Sequence, residues 1–125
     1  MNSKVTTVAR FLLGIAMLVF GANKFFGFMT PPPPASAEAG AFMGALAESG
    51  YIFPILGIVY ILAGLLLILN KAVPFALIML VPVSINILAF HLNYDIANIA
   101  GAAVVSILNA FLIFANWNRI KSLFD

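Results

Sequence analysis

Residues 51–92 read YIFPILGIVYILAGLLLILNKAVPFALIMLVPVSINILAFHL, and this stretch decides the fold. Two apolar runs, 51–69 and 74–92, flank Asn70-Lys71-Ala72-Val73, and Lys71 is the only formally charged residue among them. A helix needs roughly 20 apolar residues to cross about 30 Å of hydrocarbon at about 1.5 Å per residue. Both runs reach that length, and so short a link makes the two helices antiparallel. The stretch is predicted to be a transmembrane helical hairpin.

Outward from the hairpin the pattern repeats. Residues 5–28 form an apolar run upstream, and residues 96–117 another downstream, joined to the hairpin by Asn93-Tyr94-Asp95. The predicted fold class is all-α: an integral membrane bundle of four transmembrane helices, one domain over residues 1–125. Composition agrees, since 64% of residues are hydrophobic and 8% charged, against about 45–50% and about 25% in soluble domains. A formal charge of +2 without a lysine/arginine cluster excludes nucleic acid as a partner. With no cysteine, disulfides, thiol relays, iron–sulfur ligation and thiolate zinc sites are excluded together. Lys4 and Arg10 precede the first run as in a signal peptide, but that run is too long for one, and a retained helix is expected.

In a four-span bundle Lys4, Arg10, Lys71, Arg119 and Lys121 fall at one end and only Lys24 at the other. The positive-inside rule then places both termini in the cytoplasm. The long connection, residues 29–50, opens with Pro31-Pro32-Pro33-Pro34, a stiff polyproline II stretch that ends the first helix. Ser36 is the expected N-cap of a short helix, Glu38 lies in its first turn, and Gly50 ends it. Its apolar residues Ala39, Phe42, Met43 and Leu46 follow helical spacing, which predicts an amphipathic helix in the first outer loop. It is either a plain connector or a lid.

Gly14 and Gly21 in the first span, like Gly57 and Gly64 in the second, are seven residues apart and share a helix face, so tight packing between these spans is expected. Polar groups in hydrocarbon must find partners, which directs them into the bundle. Arg10, Gly14, Met17, Gly21 and Lys24 share one face; Tyr60 stands between Gly57 and Gly64, its hydroxyl in need of a partner. On the third span Ser84 aligns with His91 while Asn86 lies off that line, and on the fourth Asn98, Asn109 and Asn116 form a stripe. The alternating helix directions gather Lys24, His91, Asp95 and Asn98 near the outer face.

Two readings of that gathering stand. A histidine beside an acid relays protons near neutral pH, and a lysine holds an anion or a quinone carbonyl. Alternatively Lys24 and Asp95 form an interfacial ion pair, His91 caps its helix, Arg10 is a snorkelling anchor, and the asparagines, Asn86 and Asn109 included, bond between helices. One histidine and scattered carboxylates make no metal site. No nucleophile–base pair, phosphate loop or dinucleotide fingerprint is present, so the chain alone is not expected to be catalytic.

These residues carry a resemblance. Arg10, Gly14, Gly21 and Lys24 in the first helix, Gly57 and Gly64 in the second, and His91 near the end of the third resemble the DoxX family of small four-helix membrane proteins. The resemblance runs from about Arg10 to about His91 and departs from the family at Tyr60, where a glutamate is usual. It implies a bacterial inner-membrane protein serving a quinone-linked oxidoreductase system, with a quinone or other small hydrophobic ligand, a redox-protein partner or a homo-oligomer. Lys24, Tyr60 and His91 would line the ligand site, with Asn86, Asp95, Asn98 and Asn109 as further candidates. A membrane scaffold and a small-solute channel or carrier are the alternatives.

Overall fold

The computed structural model describes residues 3–125, whose regular structure is all helical, with no strand. Six α-helices follow one another: α1 (Ser3–Phe26), α2 (Ala37–Ser49), α3 (Ile52–Leu69), α4 (Val73–Tyr94), α5 (Ala100–Ala115) and α6 (Trp117–Ile120), with 3₁₀ turns at Ile96–Asn98 and Lys121–Phe124. Three of these, α1, α3 and α4, are long and apolar enough to cross a membrane, and α5 with the segment after it makes a fourth if the bent pair is one span. Phe11, Ile15, Ile58, Leu65, Ile85, Ile107 and Phe114 are exposed on their outer faces. Three to four apolar helices with such a belt point to a multi-pass membrane protein.

The most extensive packing joins α1 to α3, and glycines make it, as their spacing predicts. A Cβ placed on Gly64 would lie 2.8 Å from the Gly14 carbonyl oxygen and 3.0 Å from the Leu18 amide nitrogen. Backbones this close leave no room for a side chain, and dispersion between them replaces the hydrophobic drive that lipid cannot supply. Leu13, Met17, Leu67, Leu77, Leu80 and Leu112 fill the centre almost without exposure. Arg10 stands at one end of the seam, its Nη1 donating to the carbonyls of Leu67 and Ile68, the open C-terminus of α3. The snorkelling anchor is thus also a helix cap.

The loop-end helix forms as its caps predict. The Ser36 hydroxyl accepts from the Ala39 amide at 3.1 Å, and Gly50 closes α2 at φ 75°, a left-handed conformation that suits a residue without Cβ. Ala39 is fully buried, whereas Phe42 and Met43 stay exposed at 44% and 39%. Phe42 stacks on Phe90 of α4, ring centres 5.3 Å apart.

The fourth span differs from expectation. In place of one helix over 96–117, a 3₁₀ turn precedes the 16-residue α5, and the chain then bends by 75° at Asn116. The Asn116 side chain donates back to the Leu112 carbonyl at 2.8 Å, the local competition by which asparagine ends helices. Beyond the bend Ile120 is fully buried while Trp117, Leu123 and Phe124 are exposed, the Trp117 and Phe124 rings stacking 6.2 Å apart. An apolar and aromatic flank beside Arg119 and Lys121 suits a segment lying in the membrane interface. Trp117 is the only tryptophan, so its fluorescence should be quenched strongly by lipids brominated near the headgroup and weakly by aqueous acrylamide. Free quenching by acrylamide would show the segment projecting into water.

Candidate functional site

At the loop end the structure forms two separate polar groups where the sequence predicts one. The first surrounds Lys24. Its stem lies against Gly57, where a Cβ would come within 3.0 Å of the Lys24 Cβ, so the glycine is what lets the last turn of α1 settle on α3. The ammonium stands 5.2 Å from the centre of the Phe53 ring and 5.8 Å from that of Tyr60. Both are within the roughly 6 Å over which a ring face attracts a cation. Among the described residues Lys24 makes no ion pair, and the expected pair with Asp95 is absent. The Tyr60 ring is buried, but its hydroxyl bonds to no described residue and is not sealed off from the surface.

The second group surrounds Asp95, which is buried at 7% exposure. One carboxylate oxygen, Oδ1, accepts from the Ala35 amide at 3.1 Å and from Asn98 Nδ2 at 2.8 Å. Asn98 also donates to the Pro33 carbonyl at 3.2 Å, and the Ser36 hydroxyl donates to the Tyr94 carbonyl. Together these bonds strap the proline loop onto the end of α4. His91 completes the corner: its Nδ1 lies 3.0 Å from the Asp95 carbonyl, to which it donates, and 4.0 Å from Oδ2. That matches the helix-capping reading. Asp95 and Asn98 therefore face the loop, and a negative charge there is satisfied by donors of the protein's own backbone and side chains.

The remaining candidates lie elsewhere. Asn109 is buried in α5 and donates to the Leu77 carbonyl at 3.1 Å, while its Oδ1 accepts from Ser84 at 3.4 Å, tying α5 to α4. Asn86 is exposed and turns back on its own helix, donating to the Pro82 carbonyl at 2.8 Å. It joins neither group. Ser106 carries a buried hydroxyl without a partner among the described residues.

Two participants escape sequence reasoning. Phe53 is one of 12 phenylalanines, and nothing but its position one turn from Gly57 on the seam singles it out. The strap's acceptors and donors are largely main-chain groups, which every residue carries. No three histidine or acidic side chains converge among the described residues. Two hollows of the surface lie away from Lys24, toward the end that holds the termini. Comparison with family models, with curated proteins and with solved structures finds no match to this chain.

Proposed function

We propose that the protein is a DoxX-like, four-span membrane protein of the bacterial inner membrane, both termini cytoplasmic, that serves a quinone-linked oxidoreductase system. It holds a small hydrophobic ligand of quinone type at Lys24, or docks a redox partner there, without performing the full reaction. One observation carries the ligand reading: a half-buried ammonium framed by two aromatic rings, with no carboxylate to neutralise it among the described residues. Such a cation seeks an electron-rich partner. A ring carbonyl supplies one, the Tyr60 hydroxyl is a second donor, and Phe53 offers a face for the ring. The five cations at the terminal end and the single Lys24 at the other support the orientation.

A scaffold is the second reading, favoured by the buried Ser84–Asn109–Leu77 bonds and the glycine seam, which serve packing alone. The channel reading has less behind it, because fully buried leucines occupy the centre of the single chain.

Native mass spectrometry after purification in mild detergent, with quinone extraction, tests the proposal. Wild-type protein is expected to retain quinone, and Lys24→Met to lose it by about tenfold or more, the worth of one charge-assisted hydrogen bond. His91→Gln, altering only the strap corner, should retain it. No quinone on the wild type, or equal amounts on Lys24→Met, would remove the ligand reading, and absence of a copurifying redox protein as well would leave the scaffold as the function.

A further inference from the structure

The first turns of α1 and the ends of α3, α4 and α5 flank an open hollow of about 310 Å³ at the end of the bundle that holds the termini. Arg10, Thr7, Ser3, Asn70 and Asn116 line it, with Val73 beneath, and no acidic residue is among its lining. Val73, at its base, is buried almost completely. From this hollow we infer a binding site for a phosphate-type oxyanion, with Arg10 as its charged donor.

Three features of the chain support this. Arg10 is half-buried and pairs with no carboxylate among the described residues. A guanidinium in that setting lacks a counter-ion. Its Nη1 is held by the Leu67 and Ile68 carbonyls and its Cζ lies 4.7 Å from the centre of the Phe11 ring, which fixes the plane of the group, while Nε and Nη2 make no hydrogen bond among the described residues. Arginine carries five N–H donors in a rigid fork and stays charged at all physiological pH. One edge can cap α3 while the rest receives an oxyanion, a division that a lysine cannot reproduce. Around this donor Ser3 and Thr7 offer hydroxyls and Asn70 an amide, the neutral groups that complete phosphate coordination, while the Asn116 amide is engaged with Leu112 and Arg119. Lys4, Lys71, Arg119 and Lys121 belong to the same end, whose one acidic residue in the sequence is Asp125, whereas Glu38, Glu48 and Asp95 lie at or near the other. The field at the mouth therefore favours anions.

The phosphate has two sources, the headgroup of an anionic phospholipid at the membrane surface or a free phosphate in solution. The full chain in nanodiscs separates them. In phosphatidylcholine discs calorimetry with inorganic phosphate tests the free anion, and in discs containing phosphatidylglycerol native mass spectrometry counts retained anionic lipid. Arg10→Lys should weaken whichever ligand binds by about tenfold. Because Arg10 also caps α3, a second variant guards against misfolding: Thr7→Val with Asn70→Gly. Valine matches threonine in shape, glycine accepts the left-handed backbone of Asn70 at φ 54°, and the bonds of Arg10 to α3 stay intact. That variant should lose about fivefold or more. Saturable phosphate binding identifies the free anion, and selective lipid retention identifies the headgroup; either one, if reduced in both variants, supports the site. Absence of both in the wild type, or equal binding in wild type and variants, overturns it.

Discussion

Gly64→Ala is expected to destabilise the bundle by about 2–3 kcal/mol, as overpacking of a close helix contact does, while Gly14→Ala stays within about 1 kcal/mol of wild type. The two glycines face each other across one seam, yet the obstacles differ. At Gly64 the new methyl meets backbone of α1, the Gly14 oxygen at 2.8 Å and the Leu18 nitrogen at 3.0 Å, so the helices must part. At Gly14 it meets first Cδ1 and Cγ1 of Ile68, at 2.9 and 3.0 Å, which can rotate away, and backbone only at the Gly64 oxygen, 3.2 Å off, which a shift of a few tenths of an ångström relieves. Alanine also favours the helix over glycine by about 1 kcal/mol, which offsets that small rearrangement. Gly57 is intermediate, since the edge of the Phe25 ring at 2.6 Å can swing aside but the Lys24 Cβ at 3.0 Å moves only with α1; Gly21 resembles Gly64, with the Ile61 amide nitrogen at 3.0 Å. Unfolding in mixed micelles of increasing dodecyl sulfate fraction reads these values. Equal midpoint shifts for Gly64→Ala and Gly14→Ala would refute the backbone contact.

The glycine seam was legible because a seven-residue spacing returns to one helix face whatever surrounds it. The ends of the spans were legible for the same kind of reason: Pro74 opens α4, and Asn70 closes α3 in a left-handed conformation at φ 54°. Local chemistry decides such features. The division of the loop-end polar residues was not legible, since helix spacing places Lys24, His91, Asp95 and Asn98 at one level without saying which way each turns. Asp95 turned to the loop because Ala35 presents an amide that the rigid proline stretch before it cannot pair internally. Lys24 instead lay over rings contributed by α3. The sequence ends the fourth span at Trp117, close to the end of α5, but the 75° turn there and the short α6 beyond it were not legible.

Asp95→Ala should release the strap without unfolding the bundle. The carboxylate accepts two hydrogen bonds, from Ala35 and Asn98, and bonds to a charged acceptor contribute about 1.5–3 kcal/mol each. Their loss lowers the local opening free energy of the loop and α2 by about 3 kcal/mol, or roughly a hundredfold in amide exchange. Asp95→Asn retains an oxygen that accepts from the Ala35 amide and should lie between the two. Hydrogen exchange read by mass spectrometry over residues 33–49 supplies the measurement, with residues 10–21 of α1 as the internal control. Faster exchange confined to the loop and α2 is expected, and unchanged exchange there would deny the carboxylate its role. Lys24 should be insensitive to the change although it precedes the same loop. The end of α1 is closed locally, by the Gly27 amide on the Asn23 carbonyl at 2.9 Å and the Met29 amide on the Asn23 side chain at 2.8 Å. Those bonds isolate the aromatic frame from the strap, so any ligand held at Lys24 in the wild type should be held equally well by Asp95→Ala.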